Sequence, residues 1–383
     1  MRCDIVARAL AALGEVDLLV LSNGAYPVPD GTVFSRVQVL PQHTPATSPA
    51  GPPGAAAASA AAQVRTVREQ VHRDVAPWVR ETRYDLVWCA RERNWLKFRG
   101  LVDAPSVVDV DDLEDVLIRR WLALDRAPDG TALTPSRRAD MLRDARWWAS
   151  VHRRTERTAD VLVLASEADR DRTGLSQAVV VPNTYEREHP PAASTAQPSV
   201  PAGGPVLLFQ GALTWPPNED AALWLVEEIA PAVRRTHPEL RVVLAGSPSA
   251  RVLELRGRPG VEVVGRVPEM TPYLDAADLV VVPLRVGGGT RIKILEAFAH
   301  DVPVVSTAVG AEGIGVDPGV HLEIADTADA IADRCLRLLA EPRRARDMAG
   351  RARSFYENGH RAAHARQRIH EAAERALRRA ASR

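Results

Sequence analysis

The chain has 383 residues, 46% of them apolar, with Lys+Arg and Asp+Glu balanced at 49 each. That length exceeds one compact core, so two domains are expected; the charge balance excludes a dedicated nucleic-acid binder, which needs a strong basic field. Three widely spaced cysteines, Cys3, Cys89 and Cys335, make neither a disulfide framework nor a zinc cluster, which fits a reducing cytoplasm, and no apolar run or leader marks a membrane span.

Taken in order, Met1–Leu13 reads as an amphipathic helix, and Asp17–Ser22 and Val33–Leu40 as strands. Pro41–Ala62 is a Pro/Ala/Ser/Gly tract, expected as a mobile loop running into a helix from near Ala60 to Val79. Strands are expected at Asp85–Ala90 and Pro105–Val110, the second leading into Asp111-Asp112-Leu113-Glu114-Asp115. A helical region from Leu117 to Thr158, broken at 128–135, carries Trp121, Trp147 and Trp148; strands Val161–Ser166 and Val179–Val181 close the half. Residues 184–204 are rich in Pro, Ala and Gly with almost no apolar pattern, the composition of a linker. Strand and helix then alternate: Val206–Phe209, helix 218–235, Val242–Ala245, Val261–Val264, Leu279–Pro283, Val304–Thr307 and Leu322–Ile324. Such alternation builds a parallel sheet covered on both faces, with ligands at the carboxyl ends of its strands.

The stretch Val281–Ser306, VVPLRVGGGTRIKILEAFAHDVPVVS, compresses strand, glycine loop, helix and strand. Gly287, Gly288 and Gly289 remove three side chains at the turn; Thr290 suits an N-cap; Ile292, Leu295, Glu296 and Ala299 follow at helical spacing. The first N–H groups of a helix lack intrahelical partners and its dipole adds positive charge, so this turn reads as an anion site, reinforced by Arg285, Arg291 and Lys293. Glu296, a turn and a half further in, suits paired hydrogen bonds from vicinal hydroxyls. Diphosphate at the helix mouth and ribose on the glutamate would make a nucleotide-sugar site. The alternative at this level is a plain loop with solvated charges.

The wording P-L-R-x-G-G-G-T-R-I-K-I-L-E-A-F-A-x-x-x-P-V-V-S-T resembles the donor-site segment of the group 1 (family 4) glycosyltransferases, and the resemblance extends through Phe209-Gln210-Gly211, Pro217-Asn218 and Gly310-Ala311-Glu312-Gly313. It implies an α/β chain of two Rossmann-like domains with parallel sheets facing across a cleft, the GT-B fold. The implied layout is an acceptor-side domain at 1–184, a linker at 185–204, a donor domain at 205–345 and C-terminal helices at 346–383 crossing back. It implies a retaining glycosyltransferase taking a nucleotide-diphosphate sugar to a glycan, lipid-linked or secondary-metabolite acceptor, cytoplasmic or at the inner face of the membrane, with no metal required. Donor contacts carry over to Gly211, Arg285, Gly287, Gly288, Gly289, Thr290, Ile292 and Glu296, with Lys293 and Arg291 stabilising the departing diphosphate; Arg266 is a further basic candidate. By position Asp111 replaces a histidine that the family often places at that strand end.

Three departures stand beside the resemblance. The strand and glycine loop that precede the first helix in the family are missing here, through loss of the strand or a start codon placed too far downstream. Gly288 occupies the place of a second glutamate, and Gly211-Ala-Leu-Thr-Trp215 carries no basic pair. A nucleotide-sugar 2-epimerase-like enzyme and a non-catalytic homologue are therefore the rival readings. Asp109-x-Asp111-Asp112 could bind a divalent cation in principle, but a helix cap or acceptor-side loop is the expectation. The arginine-rich C-terminal helices could touch anionic lipid or simply be solvated.

Overall fold

A computed structural model describes residues 2–22, 33–41, 60–187, 203–289 and 291–382. Most of the Pro/Ala/Ser/Gly tract, most of the linker and Thr290 lie outside these residues. The chain forms two compact units: 1–118, 136–182 and 363–383 make the first, and 119–135 and 183–362 the second. The tail expected at 346–383 divides between them, and the excursion 119–135, absent from the sequence expectation, packs with the second unit.

The first unit contains α1 (Arg2–Ala11), β1 (Asp17–Ser22), β2 (Arg36–Pro41), α2 (Ala60–Arg80), β3 (Val87–Ala90), α3 (Glu92–Phe98) and β4 (Ser106–Val110). The chain crosses to the second unit within α4 (Glu114–Ala123), returns at the start of α5 (Pro135–Thr158), and completes the first unit's sheet with β5 (Val161–Leu164), α6 (Glu167–Thr173) and β6 (Val179–Val180). All pairings are parallel, but the strands form two ladders, β1-β2 and β3-β4-β5-β6. β5 is a continuous apolar run and is buried along its length, and β4 is buried too, with Ser106 and Asp109 included.

The second unit runs β7 (Val206–Gln210), α7 (Pro216–Trp224), a π turn (Leu225–Ile229), α8 (Ala230–Arg234), β8 (Arg241–Ala245), α9 (Ala250–Leu253) and β9 (Val261–Gly265). It continues with α10 (Thr271–Asp275), β10 (Leu279–Val282), α11 (Ile292–Ala299), β11 (Val304–Ser306), α12 (Ala308–Ala311), β12 (Glu323–Ile324), α13 (Ala328–Ala340) and α14 (Pro342–Gly359). The last helix, α15 (Ala362–Ala381), belongs to the first unit from residue 363 and packs Ala365, Ile369, Ala372 and Ala376 on Val6, Ala9 and Val161. The second unit's sheet has the order β12-β11-β10-β7-β8-β9, all parallel. No helix among the described residues is long and apolar enough to cross a membrane.

Candidate functional site

The site follows from the point where the second sheet reverses its winding. β7, first of its strands in chain order, lies between β8 and β10, so connections leave toward opposite edges; the carboxyl ends of β7 and β10 are where sheets wound this way bind ligands. Gly211 follows β7, and the glycine loop 287–289 follows β10. Two segments some 75 residues apart in the chain thus meet.

β7 is buried throughout and ends in Gln210, whose amide donates to the Glu296 carboxylate and to the Lys293 carbonyl, each at 3.3 Å. α11 starts at Ile292 with Arg291 in the cap position and no side-chain cap bond, so the cap expected at Thr290 falls on a residue outside the described ones. Lys293 and Glu296, three apart, share a helix face. The Lys293 ammonium donates to Asn218 Oδ1 at 2.8 Å and sits 4.2 Å from the centre of the Phe209 ring. Asn218 is oriented by its own amide, which donates to the Ala212 carbonyl at 3.0 Å.

Burial disfavours both charged forms. It pushes Lys293 down to about 7, an effect to which the Arg291 charge adds and which the Glu296 charge opposes. It raises Glu296, against the Gln210 hydrogen bond and the Lys293 charge. The pair is therefore poised rather than locked: an arriving anion would favour the charged lysine.

Gly211 has φ 146°, and a Cβ there would stand 3.0 Å from both Asn218 Nδ2 and Lys293 Nζ. A side chain would wedge into the Lys293–Asn218 contact. A Cβ on Gly246 (φ 124°) would collide with the Gly211 carbonyl, so the ends of β7 and β8 approach backbone to backbone.

The remaining expected residues are placed as follows. Gly287, Gly288 and Gly289 are buried. The Arg291 guanidinium folds back on this loop, donating to the Gly289 carbonyl and occupying the space that a Gly287 side chain would fill. Ile292 packs on the unit's apolar core. The Arg285 guanidinium, expected to face phosphate, is forked onto Asp220 of α7 at 3.0 and 2.6 Å and lies 4.8 Å from the Trp224 ring centre. Arg266, just beyond β9, is exposed. Asp111 belongs to the first unit, 3.9 Å from Arg2. Its neighbour in the acidic motif, Asp109, is forked by Arg2 at 2.7 to 3.1 Å. Among the described residues no three His, Cys, Asp or Glu side chains converge as a metal set.

Sequence reasoning named neither Gln210 nor Asn218 as site residues, nor the Phe209 ring under Lys293. Their signal was present in the Phe209-Gln210-Gly211 and Pro217-Asn218 wording, but only the sheet order puts those words beside α11.

Residues 204–341 match the family model described as glycosyl transferases group 1. A phosphatidyl-myo-inositol mannosyltransferase of Propionibacterium freudenreichii is 33% identical over 128 residues, 32% of this chain and 32% of its own. The chain spans less than half the length of the curated relatives it matches. Among solved structures, the sucrose-phosphate synthase of Thermosynechococcus elongatus superposes with a TM-score of 0.72 at 17% identity, covering 97% of this chain and 91% of that one. Anabaena HepE in complex with UDP and glucose gives 0.65 at 15% identity, covering 97% and 94%. The chain has the GT-B fold, as the resemblance implied.

Proposed function

Residues 204–341 being a group 1 glycosyltransferase domain, we propose that the protein transfers a sugar, with retention, from a nucleotide-diphosphate sugar to a hydroxyl of a glycan, lipid-linked or secondary-metabolite acceptor. The observation that carries this reading is the juxtaposition, at the switch point of the second sheet, of a basic helix start and a half-buried carboxylate. Lys293, held by Asn218, and the first N–H groups of α11 make up the helix start; Glu296, held by Gln210, supplies the carboxylate. A carboxylate accepts two hydrogen bonds side by side, which fits a ribose diol. The relative HepE was solved with UDP, in keeping with this class of donor.

As the bond to the sugar breaks, negative charge grows on the departing diphosphate. Donors fixed before the reaction stabilise it without reorganisation, and here Lys293, Arg291 and the loop amides fill that role. Phosphate charge is thereby met by protein groups, and the scheme requires no metal. Acceptor recognition is assigned to the first unit, with Asp111 as its candidate polar group. Retention then follows from attack by the acceptor on the leaving-group face, assisted by the diphosphate.

A thermal-shift panel of UDP, GDP, ADP and dTDP, with Mg²⁺ or with chelator, identifies the base. Calorimetry on Glu296→Ala then tests the ribose assignment. Losing a pair of hydrogen bonds to a charged group costs about 3 kcal/mol, roughly a hundredfold in affinity. Unchanged affinity would remove Glu296 from the site.

A further inference from the structure

Residues 119–135 lie across the loops at the carboxyl ends of four strands of the second sheet. Arg120 donates through Nη2 to both oxygens of Glu312, at 2.8 and 2.7 Å, and through Nη1 to the Gly287 carbonyl. Glu312 follows α12 beyond β11, and Gly287 follows β10. Further along, Ala127 and Thr131 close a small turn (N–H to carbonyl, 2.8 Å), with Arg126 and Ala132 bridged antiparallel. The Asp129 carbonyl in that turn receives Arg251 Nη1 at 3.5 Å, and Arg251 also binds Glu219 at 2.6 Å. Arg251 lies on α9 beyond β8, and Glu219 on α7 beyond β7. Gly130 (φ 80°) leaves the room: its Cβ would stand 2.5 Å from Arg251 Nη1.

We propose that 119–135 forms a fixed wall of the donor site and that Arg120 is the positioning residue of its glycine loop. In a planar trans peptide the carbonyl and the following N–H point in opposite directions. Anchoring the Gly287 carbonyl therefore aims the Gly288 N–H to the side away from Arg120. Three consecutive glycines have no side chains to fix these peptides; Arg291 holds the Gly289 carbonyl, and the Gly287 carbonyl is held by a residue 167 positions earlier. Glu312 neutralises the guanidinium, which makes the role of Arg120 geometric: it orients an amide and adds little net charge for the ligand. This deepens the donor-site reading and rests on it, since the oriented amide is one that would receive phosphate.

The first test needs no ligand. In Arg120→Ala, deuterium exchange of a peptide covering 285–291 should accelerate by about tenfold or more, as for a loop that loses its local closing contact; unchanged exchange overturns the anchor. Arg120→Lys, which keeps the charge and loses the fork, should fall between, and it serves if the alanine variant does not fold. The second test is calorimetry with UDP, GDP, ADP and dTDP and their monophosphates. Arg120→Ala should weaken the diphosphate by about tenfold, the loss of one charge-assisted hydrogen bond, while moving the monophosphate by far less. Equal losses for both overturn the positioning role. A wild-type protein that binds none of these nucleotides overturns the sugar-transfer reading, and the exchange result still decides the anchor.

Discussion

Among the described residues, a single apolar core, from Tyr185 to Tyr356, surrounds the second unit's six-stranded sheet, whereas those of the first unit divide among four smaller clusters around two ladders. The first unit also carries polar contacts that are buried or partly buried. Arg2 forks Asp109 and reaches the Val181 carbonyl at 3.0 Å. His152 sits between Glu92 and Asp115, at 2.5 and 3.3 Å, with its ring stacked on Trp148. Asp17 gathers Arg36 and Tyr84 at 2.7 and 2.8 Å. The two kinds of contact fail differently: close packing is tolerant of which apolar residue fills a site, while a buried ion pair requires both partners.

The comparison breaks most directly at the largest side chains. Phe298, fully buried on α11 and edge-on to Phe355, should cost about 4 kcal/mol on truncation to alanine, since the surrounding helices and strands relax only partly into the cavity. Urea unfolding measures it, and a loss below 1 kcal/mol would deny that packing carries the second unit. In the first unit, Arg2→Met should cost about 3 kcal/mol by leaving the Asp109 carboxylate buried and uncompensated, yet Arg2→Met with Asp109→Leu should recover most of it, because removing both charges leaves nothing to compensate. A double variant as unstable as the single one would show that the pair itself contributes net stability.

A smaller effect separates the units by pH. Glu92 and Asp115 hold the His152 imidazolium against the opposing cost of burial and raise its pKa to about 9 from the usual 6.5. A group raised on folding contributes stability that is fully present below its unfolded pKa and is lost as pH rises through the folded one. Between about pH 6.5 and 9 the first unit should therefore lose stability at up to about 1.4 kcal/mol per pH unit. His152→Gln should flatten that slope, which pH-resolved unfolding reads directly.

The two units were also unequally legible. Most second-unit strands are built on short apolar runs, several of them bounded by Gly or Pro, so their positions are readable to within a residue or two, and the glycine loop announces itself by composition. α3 and α6 went unread because each is only seven residues long, too short to display a helical period. Gln210, Asn218 and Arg120 were hidden for a different reason: a polar side chain states its partner only after the sheet order is known, and Arg120 reaches Gly287 across 167 residues. Arg285, which reads as a phosphate ligand from its place beside the glycine loop, has in Asp220 a partner that its sequence neighbourhood does not name.

The finest test concerns Lys293, where the second unit departs from its own apolar rule. Burial brings its pKa down to about 7, so near neutrality the ammonium is only half formed in the free protein. A bound diphosphate favours the charged form, raising the pKa in the complex, and binding must then take up a proton at any pH between the two values. Affinity for the nucleotide should be flat below about pH 7 and should fall above it by up to about tenfold per unit, roughly 1.4 kcal/mol. Calorimetry in buffers of different ionisation enthalpy counts that proton. In Lys293→Met the slope and the proton uptake should both vanish, and their persistence would move the titration to another group. Gly211→Ala approaches the same question from the backbone: a methyl placed 3.0 Å from Lys293 Nζ and Asn218 Nδ2 forces that contact apart without changing either partner. If the Lys293–Asn218 contact sets the lysine's poise, the midpoint of the pH profile should shift in that variant while the charge count stays the same.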